Sequence, residues 1–115
     1  MTSAATGMAA EDLACTALTQ DGFAILGRRL RTKLGEIDVV AATDAMLVFV
    51  EVKCRRHLSG AALALGQRQQ ARLMEAAEIL LAQTPEWHRP AMRFDVILVD
   101  GAGRVRRIAD AFRQG

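Results

Sequence analysis

Apolar positions along the chain follow two rhythms. Leu13, Ala14, Ala17 and Leu18 recur at helical spacing, with Glu11 and Asp12 before them and Gly22 after. Acids in a first turn and a glycine past the last suit a helix, here expected over residues 11–20. A longer stripe of Gln70, Leu73, Met74, Ala77, Leu80 and Leu81 predicts the main helix over 67–84, stopped by Pro85. Segments 23–30, 34–42, 46–54, 92–99 and 104–109 instead read as strands, rich in β-branched and other apolar residues and separated by turn-forming ones. Residues 86–90 read as a loop in which Trp87 either caps the core or stacks on a ligand. Residues 57–66 form a connector with some helical content, which Gly60 and Gly66 make a candidate mobile loop. The order α-β-β-β-α-β-β predicts an α/β domain with a mixed sheet. The long helix makes strands three and four parallel, and the short turns make the hairpins antiparallel.

The second and third strands carry charges in their middles. They read Gly35-Glu36-Ile37-Asp38-Val39-Val40 and Val48-Phe49-Val50-Glu51-Val52-Lys53. If Asp44-Ala45 is a two-residue loop, Thr43 pairs with Met46, Asp38 falls opposite Glu51, and Glu36 falls opposite Lys53. All four side chains then share one face. Directly opposed carboxylates stand roughly 5 Å apart at Cβ. At an effective dielectric of about 20 they repel by roughly 3 kcal/mol. A divalent cation between them removes that cost, and Mg²⁺ is bound by one or two carboxylates plus water and phosphate oxygens.

Asp38 followed by Glu51-Val52-Lys53 on the next strand resembles the PD-(D/E)XK nuclease superfamily. With Gln70, Arg72-Leu73 and Arg93-Phe94-Asp95-Val96 added, residues 9–112 resemble the YraN-like family of small bacterial proteins. The resemblance implies a restriction-endonuclease-like fold, with a mixed β-sheet flanked by helices. It also implies a Mg²⁺ or Mn²⁺ site and hydrolysis of nucleic-acid phosphodiester bonds, of DNA sooner than RNA. Asp38 and Glu51 would hold the metal, with the Val52 carbonyl as a further ligand. Lys53 would position water or stabilise developing charge. Glu36, opposite Lys53 in the hairpin register, either orients Lys53, joins the metal shell or only forms an exposed ion pair with it. Gln70, polar on an otherwise buried stripe, either points at phosphate or a metal-bound water or simply begins an amphipathic helix. Glu11 is either an accessory metal ligand or an ordinary N-terminal helix acid. Asp95, inside an apolar strand, either pairs with an arginine, the favoured structural role, or supports the site from behind. Ile37 stands where the superfamily has its proline, Cys54 where a threonine is common, Gln69 where lysine is frequent, and Arg29 where asparagine is frequent.

Composition narrows the class. A chain of 115 residues with 51% hydrophobic and 24% charged residues is of ordinary globular make-up. The expected organisation is a mobile tail over 1–8 and one nuclease-like domain over 9–115. A net charge of +2 does not announce a nucleic-acid binder. The distribution says more: Arg28, Arg29, Arg31 and Lys33 precede the first charged strand, and Arg55 and Arg56 follow the second. Both clusters lie at the open end of the hairpin, as a phosphate-binding rim or as solubilising strand edges. Cys15 and Cys54 lack metal-ligand spacing and suit a reduced, cytoplasmic protein. Residues 1–10 lack the features of a secretory signal, and no run reaches the length of a membrane span. His57 and His88 have no positional support for a Ser-His-Asp arrangement. The rival to the enzyme is a non-catalytic nucleic-acid-binding or scaffold protein that keeps the fold, with its carboxylates in a structural salt-bridge ladder. A homodimer would suit a nuclease that cuts both strands.

Overall fold

The computed structural model describes residues 3–56 and 66–112, with side chains from residue 7 onward. The connector expected over 57–66 lies outside these residues except for Gly66. The elements are α1 (Ser3–Gln20), β1 (Ala24–Arg31), β2 (Glu36–Ala42), β3 (Met46–Cys54), α2 (Gln67–Gln83), β4 (Ala91–Val99) and β5 (Val105–Phe112). The strands form one sheet in the order β1-β2-β3-β4-β5. Only β3 and β4 are parallel, and α2 makes the crossover between them. The expected α/β architecture and element order are therefore observed.

Strand alternation divides the core between two faces. Leu47 and Phe49 pack with Leu73, Ala77 and Leu80 of α2, whereas Val48 and Val50 pack with Ala10, Ala14 and Leu18 of α1. The middle of the sheet is thus covered on both sides, which accounts for its near-continuous apolar runs. Phe94 stacks between Phe49 and Phe112, at centroid distances of 5.6 and 4.8 Å. Trp87 packs against the α2-side core, as a loop aromatic that caps it does.

Three details depart from the sequence reading. Helix α1 begins at Ser3, well before Glu11, because the alanine-rich run over 3–10 continues the helix despite Gly7. Its buried stripe is Ala10, Glu11, Ala14 and Leu18, and Leu13 faces outward. Strand β5 extends to Phe112, whose ring is needed in the aromatic stack. Among the described residues two non-glycine residues have positive φ, Arg29 at 51° in β1 and Asp110 at 55° in β5, one in each outer strand. An asparagine would tolerate this left-handed geometry better than the arginine at position 29 does.

Asp95 is 1% exposed. Its carboxylate accepts Nε and Nη2 of Arg93 at 2.7 and 2.8 Å and the Asp110 N–H at 2.8 Å. The last bond spans a bulge in the β4–β5 ladder. Asp95→Ala would remove the acceptor of these three N–H groups, and urea unfolding should show a loss of about 3 kcal/mol. Asp95→Asn keeps an acceptor for Asp110 and should lose less.

Candidate metal centre

The hairpin register is the one expected. Thr43 N–H donates to the Met46 carbonyl at 2.9 Å, and β2 and β3 then pair from Ala42/Leu47 to Val39/Val50. Thr43 Oγ1 accepts the Ala45 and Met46 N–H groups, which closes the loop. Beyond Val39/Val50 the ladder stops, although β3 stays paired to β4 as far as Cys54/Val99. Past that point the Val52 N–H donates to Asp38 Oδ2 at 2.8 Å. A side chain has taken the place of a neighbouring strand. The N–H and carbonyl of one strand residue face the same side, so the Val52 carbonyl also faces Asp38.

Asp38 and Glu51 meet at this fork and interact directly through their carboxyl groups. Lys53 Nζ lies 3.5 Å from Glu51 Oε1. The expected Glu36–Lys53 pair does not form. Glu36 instead pairs with Arg31 of β1, its register partner, at 3.4 Å. The reason is that β1 follows β2 out to Glu36, whereas the β2–β3 ladder has already ended at Val39/Val50. Alternation also slips here, because Ile37 and Val40 pack on the α2 side but Val39 on the α1 side.

The electrostatics are those of an under-compensated acid pair. Burial, and then the charge of Asp38, push the Glu51 carboxyl up to about 7, with Lys53 pulling the other way. Burial also raises Asp38, against the opposing hydrogen bonds from Val52 and Glu51, and the charges of Glu11 and Glu36 add to the rise. The available donors are two carboxylates and a main-chain carbonyl. These hard oxygens suit Mg²⁺ or Mn²⁺ and leave coordination positions for water and phosphate. Among the described residues no three His, Cys, Asp or Glu side chains converge into a metal-holding group.

The remaining candidates are spread around this fork. Glu11 is buried, and Arg29 Nε donates to its two oxygens at 2.9 and 3.2 Å, with Arg28 at 3.6 Å. Glu11 therefore serves as the acceptor for Arg29, which explains a buried acid on a helix stripe. Arg28 also pairs with Asp12 at 2.8 Å. Gln70 lies half-buried in the first turn of α2. Lys33 is exposed in the β1–β2 turn, across a cavity from Arg72. Arg55 and Arg56 face a different cavity, beside Ala10 and Leu13 of α1. The basic residues thus form two separate groups, and Arg72 joins the first of them. The exposed side of a helix stripe gave no sign of Arg72's position.

Because the folded protein holds the Glu51 proton more tightly than the unfolded chain does, ionising this group opposes folding. Stability of the metal-free protein should therefore fall as pH rises from about 4.5 through 7. Glu51→Gln should remove that decline and raise stability near pH 8 by about 1–3 kcal/mol, read by urea unfolding in EDTA. An unchanged pH profile in this variant would show that the pair carries no such strain.

Residues 10–99 match the uncharacterised protein family UPF0102. A UPF0102 protein of Granulibacter bethesdensis is 59% identical over 107 residues, covering 93% of this chain and 68% of that protein. One from Azorhizobium caulinodans is 50% identical over 108 residues, covering 94% and 82% respectively. One from Rhodopseudomonas palustris is 44% identical over 107 residues, covering 93% and 82%. With most of its length matched at these identities, the chain belongs to UPF0102, the YraN-like family that the motifs of β2, β3 and β4 resemble.

Proposed function

We propose that this protein is a Mg²⁺- or Mn²⁺-dependent endonuclease acting on DNA. The observation that carries the reading is the fork itself. Asp38 and Glu51 are brought into contact where β2 and β3 part, and Lys53 lies 3.5 Å from Glu51. A bound divalent ion would polarise a phosphate and acidify a water molecule there.

The chain's own residues supply the rest. Asp38 and Glu51 would hold the ion from adjacent strands, and the Val52 N–H fixes the orientation of the Asp38 carboxylate. The Val52 carbonyl adds a neutral oxygen on the same side. Lys53, 3.5 Å from Glu51, would position water or stabilise charge developing on the phosphate. Gln70, on the first turn of α2, would orient the phosphate or water. Arg31, Lys33, Arg55 and Arg56 would take flanking phosphates, which positions the strand without reading its sequence. Arg28 and Arg29 would contribute mainly by holding Asp12 and Glu11.

The test is nicking of supercoiled, branched and single-stranded DNA with Mg²⁺, Mn²⁺ or EDTA. Cleavage should require the ion and disappear in Asp38→Asn. Lys53→Ala should slow it by roughly 10²–10³-fold. Calorimetry should show Mn²⁺ binding that depends on Asp38 and Glu51. If Asp38→Asn keeps full DNA affinity and the wild type shows neither nicking nor such binding, the protein is a scaffold on a nuclease fold.

A further inference from the structure

The β1–β2 turn carries an apolar residue that the core does not use. Leu34 stands near its tip, 47% exposed. The turn around it is fixed. Thr32 N–H and Oγ1–H both donate to the Gly35 carbonyl at 2.8 Å, and the Leu34 and Gly35 N–H groups donate to Thr32 Oγ1 at 3.2 and 3.1 Å. Gly35 is seated against α2 so closely that a Cβ there would lie 3.3 Å from the Arg72 carbonyl oxygen. Arg31, Lys33 and Arg72 border the same open cavity of about 620 Å³. Glu36 and Glu75 border it too, and Glu36 pairs with Arg31 at 3.4 Å.

We propose that this turn is a wedge for DNA whose base stacking is interrupted, as at a bulge, gap or junction. Leu34 enters at the interruption, and Arg31, Lys33 and Arg72 take the phosphates beside it. The inference rests on the nuclease reading above and adds a substrate class to it. An apolar side chain on a rigid support gains by leaving water for the faces of the bases. Parting an intact stack opposes that gain, and an existing interruption removes the opposition. The surrounding cations make the phosphate contacts that hold the wedge in place. Leu34 precedes Asp38 by four residues, a reach of at most about 14 Å. At about 3.4 Å per base pair this places cleavage within roughly four nucleotides of the interruption.

The experiment is fluorescence anisotropy of the full chain in EDTA, on a continuous DNA duplex and on the same duplex with a central bulge. Wild type should favour the bulged probe by roughly tenfold. Leu34→Ser should lose that preference, and Leu34→Phe should keep it. Lys33→Ala and Arg72→Ala should weaken binding to both probes alike and lower the salt slope by about one each. Equal binding of the two probes by wild type overturns the wedge, as does a Leu34→Ser loss shared by both. If such a result accompanies Asp38-dependent nicking of continuous DNA, the nuclease reading stands without the wedge. Absence of binding to either probe overturns the wedge, and the ion-dependent nicking and Mn²⁺ calorimetry then judge the nuclease reading separately.

Discussion

The hydrogen bond from the Val52 N–H to Asp38 is the contact on which the candidate centre depends. It occurs where a regular sheet would have placed the next rung of the β2–β3 ladder. A buried backbone N–H needs a partner, and here the partner is a carboxylate. That substitution lets β2 leave β3 without stranding a donor. It also turns an acid side chain inward, so that Asp38 meets Glu51 across a gap in place of a rung. The parallel ladder to β4 keeps β3 straight through the same stretch, so the fork opens on one side of β3 only. Local hydrogen-bond accounting thereby creates an oxygen-lined opening in an otherwise closed sheet.

The rest of the architecture supports this opening from two sides. Helix α1 brings Glu11 to Arg29, the β1 residue that stands across from Asp38 between two regular register pairs. Helix α2 closes the other face and seats the β1–β2 turn at Gly35. The acids of the fork therefore lie in partly dry surroundings, which is why burial is the first cause of both raised carboxyls. Fold and electrostatics have one origin here, because covering the sheet is what desolvates the pair.

Much of this was legible in the chain. A two-residue loop between Thr43 and Met46 fixes one register, and that register brings Asp38 to Glu51. The period of the α2 stripe placed Leu73, Ala77 and Leu80 on the buried side. The partner of Glu36 was not legible, since the end of a ladder depends on competition between strands and no single segment encodes it. The stripe of α1 was legible at Ala14 and Leu18 but not at Leu13, which faces outward, while the buried Glu11 beside it has Arg29 as its partner. The left-handed geometry of Arg29 was equally hidden. An arginine inside a strand pattern gives no sign of a left-handed backbone.

Arg29 and Asp110, the two positive-φ residues outside glycine among those described, have a consequence for how the molecule meets its neighbours. They sit in β1 and β5, the two strands with a free side. A left-handed residue breaks the even row of donors and acceptors that a foreign strand would need in order to dock. Arg28, Arg29 and Arg31 add charged side chains, each paired with an acid, along one of these borders. The sheet is therefore finished at both ends, and strand addition, which drives runaway self-association in proteins with flat open borders, has no straight template on either side.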